Sequence, residues 1–183
     1  MSERDRILAL TQAAFLSAVA FTFLSIQFVM PPSFVVLLGV VPAIFGLQAY
    51  HVPLKLAGLA GVLVIVLSSV MFGVTLGVWA GLYFVVGSVL GIGWRYRLPL
   101  ALRLLVTSLA SVLSLLATVA MFGWMANIRW QEVAHAWVQF PVLDQTSFLT
   151  FLATGLVFWC VLFSLGADRF LAQVLRHIHV DPR

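Results

Sequence analysis

The chain has 183 residues, of which 63% are hydrophobic and only 9% are charged. About a quarter of the residues in a soluble domain are charged, so this composition excludes an ordinary soluble globule and indicates an integral membrane protein. The formal net charge of +4 does not predict nucleic-acid binding, because membrane topology explains where the basic residues lie.

The first long apolar run, from Arg6 to His51, is too long for one membrane crossing. Its residues 7–50 would make a helix of about 66 Å, roughly twice the hydrocarbon thickness of a bilayer. The turn is expected at 30–33, where the sequence is MPPS, because paired prolines cannot continue a helix. The run 56–94 is also too long for one crossing, and its turn is expected at 72–75.

The pattern predicts an all-α, polytopic membrane protein with six transmembrane helices in a single domain, 1–183. The first helix is expected to be retained, because no small-residue cleavage site follows its apolar run. The six predicted helices cover 7–29, 34–50, 54–72, 75–94, 101–124 and 147–169.

Orientation follows from Lys and Arg, which are enriched in cytoplasmic loops. With both termini in the cytoplasm, Arg129 is the one basic residue left outside. An odd number of helices would remove this excess of Lys and Arg on the cytoplasmic side. The charge bias agrees with an integral membrane protein in contact with the lipid bilayer, and we expect that membrane to be the bacterial inner membrane. Nine basic residues then lie inside: Arg4, Arg6, Lys55, Arg95, Arg97, Arg103, Arg169, Arg176 and Arg183.

The segment 127–140, NIRWQEVAHAWVQF, is amphipathic at helical spacing and is followed by Pro141. Trp130 and Trp137 share its apolar face, and Glu132 and His135 lie on the polar face. The pattern predicts an interfacial helix between helices 5 and 6. Two compatible interpretations stay open: an anchor at the headgroup level, or a lid over a cavity.

Signatures of catalysis are missing from the sequence. No span carries a Lys, Arg, Asp, Glu or His at depth. Such residues are the usual mark of proton relays and intramembrane catalysis. No Gly-rich phosphate loop is present either. Glu132 and His135 have a spacing that can bind a metal ion, but two ligands are too few. We predict no enzyme activity, no metal and no cofactor, so active transport would need a partner that supplies energy.

Uncharged polar and aromatic residues fall at one level in the predicted outer half of the bundle. Such groups in an apolar setting are typical of a small-molecule site, and the absence of charge in the spans favours an uncharged or aromatic ligand. The predicted ligand-binding residues of this kind are Gln27, Ser68, Thr75, Trp79, Asn127, Trp130, Trp137 and Thr150. Glu132 and His135 are added to the predicted site because they could meet a charged group at the outer surface.

The small residues Ala14 and Ala18, four apart on helix 1, allow a second helix to approach closely. With six short helices, both ends inside and no ATP motif, this AFLSA pattern resembles the substrate-capture (S) components of energy-coupling factor transporters. In that family such faces dock onto a transmembrane coupling subunit that works with ATPase subunits. The resemblance implies that Ala14 and Ala18 bind this subunit and that the outer pocket captures a vitamin-like molecule.

Two further resemblances bear on function. The run 41–47, VPAIFGL, is similar to a pattern in the YybS-like membrane proteins, which are related in architecture to S components. The chain also resembles the rod-shape membrane scaffolds of the MreD type, which are small and lack catalytic residues. Their Gly-rich stretch usually leads to an aspartate, whereas the stretch 73–93 here contains no acid. This alternative predicts a non-catalytic assembly protein with no cavity.

Overall fold

A computed structural model of the chain describes residues 3–29, 34–125, 127 and 145–178. These residues form helices and short turns, with no strand among them. All six helices predicted from the sequence are present: α1 (Glu3–Val29), α2 (Phe34–His51), α3 (Leu54–Phe72), α4 (Val74–Arg95), α5 (Leu100–Met125) and α6 (Gln145–Ile178).

The last helix differs most from its prediction, because it continues nine residues beyond 169 to Ile178. Ala167, Leu171 and Leu175 follow one another at a spacing of four and are buried against α2 and α4. This continued apolar stripe explains the longer helix, since packing of an apolar face stabilises a helix more than its propensity does. At 1.5 Å per residue, α6 is about 51 Å long and exceeds the hydrocarbon thickness of about 30 Å.

Five helices, α1, α3, α4, α5 and α6, are long and apolar enough to cross a membrane. Their outer faces remain apolar: on α3, Leu59 is 70% and Val70 is 76% exposed, and on α5, Leu105 is 64% exposed. Apolar surface on this scale is unusual on a soluble monomer and is compatible with lipid contact. The fold therefore agrees with an integral membrane protein.

Helix α2 lies at the centre of the bundle, where it packs on α1, α4 and α6. All of its residues from 41 to 49 are buried. Its closest neighbour is α4, because glycines let the two backbones meet. A Cβ atom on Gly87 would collide with the Pro42 carbonyl oxygen, and one on Gly91 would collide with the Gly46 carbonyl oxygen. The glycines of α4 thus determine the α2–α4 crossing.

A tight turn makes α3 and α4 antiparallel. Gly73 joins α3 to α4 with φ of +91°, a conformation that favours glycine, and its N–H donates to the Ser69 carbonyl oxygen. At the other end, the Arg95 guanidinium of α4 donates to the Val52 carbonyl oxygen just beyond α2, at 3.1 Å. We call this second end of the bundle the basic end. The described Lys and Arg residues all belong to it: Arg4, Arg6, Lys55, Arg95, Arg97, Arg103, Arg169 and Arg176.

Candidate functional site

A groove between α1 and α3, with a volume of about 500 Å³, contains the predicted docking residues Ala14 and Ala18. Both alanines are exposed. The neighbouring small residues Ala13 and Ser17 are buried. Small side chains leave a hollow between two helices. We call this feature the α1–α3 groove; it is lined by Leu10, Ala13, Ala14, Ser17, Ala18, Phe21, Leu56, Leu59, Ala60, Leu63, Val64 and Leu67.

The lining of the α1–α3 groove is almost entirely hydrocarbon. Its one hydroxyl belongs to Ser17, whose Oγ accepts a hydrogen bond of 3.1 Å from Gln48 Nε2 on α2. The same Nε2 lies 3.4 Å from the Ala13 carbonyl oxygen. Gln48 is 1% exposed, so these contacts fasten α1 to α2 from within. The groove therefore offers van der Waals contact rather than hydrogen bonds.

Two of the predicted ligand-binding residues, Gln27 and Trp79, meet at Tyr83. Gln27 Nε2 donates a 3.1 Å hydrogen bond to the Tyr83 hydroxyl, and the Trp79 and Tyr83 rings are 6.1 Å apart. Sequence reasoning missed Tyr83. Its position four residues after Trp79 on the same helix face was the available signal.

The space beside this cluster is small. Trp79, Ser111 and Cys160 line a cavity of about 60 Å³ between α4, α5 and α6, whereas drug-sized ligands occupy sites of roughly 300–1,000 Å³. Gln27 is 6% exposed and Ser68 is fully buried. Gln27 Oε1 and Ser68 Oγ have no hydrogen-bond partner within the described part of the chain. These residues occupy the interior of the bundle.

The other predicted residues are not brought together by the described structure. Thr75, Asn127 and Thr150 are exposed, on α4, after α5 and on α6. Trp130, Glu132, His135 and Trp137, and with them the predicted interfacial helix, lie outside the described residues. The outer ligand site therefore stays a prediction.

A buried ion pair that the sequence analysis missed joins α5 to α6. Arg103 Nε and Nη2 donate to the two carboxylate oxygens of Asp168 at 3.0 and 3.2 Å, which is the strong bidentate arrangement. Trp94 Nε1 donates to the same carboxylate at 2.9 Å, and the Arg103 guanidinium carbon lies 4.0 Å from the Trp94 ring centroid. The signal was a lone acid beside the apolar stripe of α6.

This ion pair ties together three helices at the basic end rather than offering a binding site. The side chains of Arg103 and Asp168 are only 10% and 4% exposed. Arg103 Nη1 also donates to the Leu98 carbonyl oxygen at 3.1 Å. Both charges thus have partners, so the role of the cluster is to stabilise the packing of α4, α5 and α6. In the described ranges, no three His, Cys, Asp or Glu side chains are grouped so that they could hold a metal ion.

Comparison with known proteins adds no relative to this description. No family model matches the chain, and no curated protein or solved structure is detectably similar to it.

Proposed function

We propose that this chain is the membrane-embedded substrate-binding subunit of an energy-coupling factor-type importer. It captures a small, vitamin-like molecule at the extracytoplasmic side of a bacterial plasma membrane and depends on partner subunits for ATP hydrolysis. The α1–α3 groove is the observation that carries the proposal, because the exposed Ala14 and Ala18 give a coupling subunit a place to dock. Both termini are cytoplasmic in this proposal, so the basic end faces the cytoplasm.

The docking argument rests on the shape and chemistry of the groove. Ala14 and Ala18 are one helical turn apart and present little more than backbone. The one hydroxyl of the groove, that of Ser17, already accepts a hydrogen bond from Gln48. A partner helix with an apolar face would therefore lose no hydrogen bonds on entering it.

One observation favours a second function, that of a non-catalytic membrane scaffold. The buried Gln27 and Tyr83 are hydrogen-bonded to each other, and the cavity next to Trp79 is only about 60 Å³. A scaffold needs no ligand cavity and binds other membrane proteins through its outer faces. Besides the α1–α3 groove, an apolar groove of about 460 Å³ between α3, α4 and α5 would serve such contacts.

Purification of the tagged chain in a mild detergent tests both proposals, with mass spectrometry of co-purifying proteins and small molecules. The transporter proposal predicts a transmembrane coupling subunit with ATPases, and their yield should fall at least tenfold in A14L and A18L. A tenfold change is about 1.4 kcal/mol, which one side chain of excess volume at a close helix contact readily costs. A co-eluting small molecule would identify the substrate.

The matched control is A120L, because Ala120 is also exposed but lies on α5, outside the α1–α3 groove. It should retain the full yield of partners. Recovery of cell-wall or other assembly proteins without ATPases or a ligand would contradict the transporter proposal and support the scaffold.

A further inference from the structure

We propose that the α1–α3 groove is also a lipid site: it holds one acyl chain of an anionic phospholipid, whose headgroup lies at Arg6 and Lys55. The lipid belongs to the leaflet on the side of the basic end. This site goes beyond the transport proposal and can be measured on the isolated chain.

The chemistry of the groove selects an aliphatic occupant. Leucine, alanine, valine and phenylalanine side chains line it, and its single hydroxyl, on Ser17, is already bonded by Gln48. A polar ligand would leave its own hydrogen-bonding groups unsatisfied there, which costs several kcal/mol for each group in an apolar medium. A hydrocarbon chain loses nothing by entering.

The depth of the groove matches one leaflet. On α1 it extends from Leu10 to Phe21, and on α3 from Leu56 to Leu67. At 1.5 Å per residue each wall is about 17 Å long, close to half of the hydrocarbon thickness of about 30 Å. Both walls start near the basic end, so the groove opens where a headgroup lies.

Helical spacing places a basic residue in line with each wall. Arg6 precedes Leu10 by four residues, and Lys55 precedes Leu59 by four, so each shares a helix face with a residue of the groove. Both basic residues are exposed. The first turn of α1 also carries the acids Glu3 and Asp5, and together with Arg4, Arg6 and Lys55 these charges sum to +1. Glu3 precedes Leu10 by seven residues and so shares this helix face with Arg6. The three charges aligned with the groove, Glu3, Arg6 and Lys55, therefore leave a net charge of +1 to complement a phosphate.

Lipid and partner would compete for the same surface, because Ala14 and Ala18 line the groove in both proposals. The lipid would have to leave when a partner helix docks, and this consequence rests on the proposed function. The lipid site itself depends on the groove and on the two basic residues.

The test uses the purified full-length chain in an uncharged detergent, titrated with dioleoyl phosphatidylglycerol or with dioleoyl phosphatidylcholine. Native mass spectrometry counts the retained lipids, and the two probes differ only in their headgroups. We expect one preferentially retained phosphatidylglycerol. Its affinity should fall about fivefold in R6Q and about fivefold in K55Q, the usual effect of one basic residue near an anionic surface. The A14L/A18L double variant should lose the bound lipid.

The controls match each change elsewhere on the molecule. R176Q removes one exposed charge from α6, and A120L adds the same volume to an exposed face of α5; both should retain the lipid at full affinity. The proposal is overturned if phosphatidylcholine binds as well as phosphatidylglycerol, or if R176Q weakens binding as much as K55Q. Because Arg6 and Lys55 are exposed, their variants remain informative even if A14L/A18L does not fold.

The same variants separate the two proposals. R6Q and K55Q should weaken lipid retention without lowering co-purification of a coupling subunit, since the lipid and the partner compete for the groove. If R6Q and K55Q retain the lipid at full affinity while a coupling subunit still co-purifies, only the lipid site is rejected. If the two variants lose the lipid but no coupling subunit co-purifies with the unchanged chain, only the transporter proposal is rejected.

Discussion

Asp168 shows how one residue can join three helices in an apolar protein. Its carboxylate receives hydrogen bonds from Arg103 of α5 and Trp94 of α4. The Asp168 side chain is only 4% exposed, so its carboxylate has little access to water. Burying a charge is costly unless it is paired. Asp168 and Arg103 therefore stabilise the fold only when both are present.

We expect D168N to destabilise the purified protein by about 3–5 kcal/mol, because the change leaves the Arg103 guanidinium buried without its counter-charge. Thermal unfolding in detergent, followed by circular dichroism, measures this effect as a lower Tm. The double variant R103M/D168L should recover much of the loss, since apolar residues of similar volume often replace a buried ion pair without cost.

The adjacent Arg169 provides the control for D168N because it is exposed. R169Q should change stability by no more than about 0.5 kcal/mol, as is usual for surface positions. An equal loss in D168N and R169Q would mean that the ion pair contributes nothing beyond the surface charge.

At the scale of elements, the crossing of α2 and α4 organises the bundle. Gly87 of α4 lies against Pro42, and Gly91 lies against Gly46 and Ala49. Because Gly87 and Gly91 have no side chains, α2 can pack directly on α4 and become the central helix, with α1 and α6 on its other sides. Small residues on a helix face indicate close packing against another helix, but the sequence alone could not show that α2, rather than a partner, was the neighbour.

We expect G91A to lower the free energy of unfolding by about 1–3 kcal/mol, the usual cost of excess volume in a packed core. The added Cβ would collide with the Gly46 carbonyl oxygen. The matched control is G58A on α3, where an added Cβ meets no atom within 4 Å. G58A should be neutral or slightly stabilising, since alanine is the better helix former. Thermal unfolding of both variants in one detergent is the measurement, and equal Tm values would contradict this account of the crossing.

At the scale of the whole molecule, basic residues gather at one end of an otherwise apolar bundle. An exposed arginine, Arg97, lies in the turn between α4 and α5, whereas the exposed Asn127 follows α5 at the opposite end. The excess of Lys and Arg in cytoplasmic loops predicts which end faces inward. The proposed transporter requires the same orientation, because its ligand enters from the other side.

Cysteine labelling of intact cells tests this orientation. In a C160S background, N127C should react with a membrane-impermeant maleimide before lysis, and R97C only after lysis. The C160S parent without an added cysteine is the control and should remain unlabelled. Labelling of R97C in intact cells would reverse the topology and remove the basis for an extracytoplasmic ligand site.

The helices could be predicted from the sequence because their signals are local. Runs such as 7–29 and 101–124 are apolar over the length of one bilayer crossing. Pro31 and Pro32 divide the longer run 7–50, and Gly73 divides the run 56–94. The end of α6 could not be found in this way. Leu171 and Leu175 extend the helix because they are buried against α2 and α4. The hydropathy of the segment alone does not show which helices pack beside it.

The candidate sites likewise have some features that the local sequence predicts and others that depend on how the helices pack. The sequence by itself determined that the chain is an all-helical, apolar protein with small residues at Ala14 and Ala18, since composition and spacing require no knowledge of packing. Only the tertiary structure decided that these alanines face an open groove, that Gln27 and Trp79 meet at Tyr83, and that Asp168 pairs with Arg103. The physical reason is that each contact joins residues on different helices, and the choice among neighbouring helices depends on how whole surfaces pack.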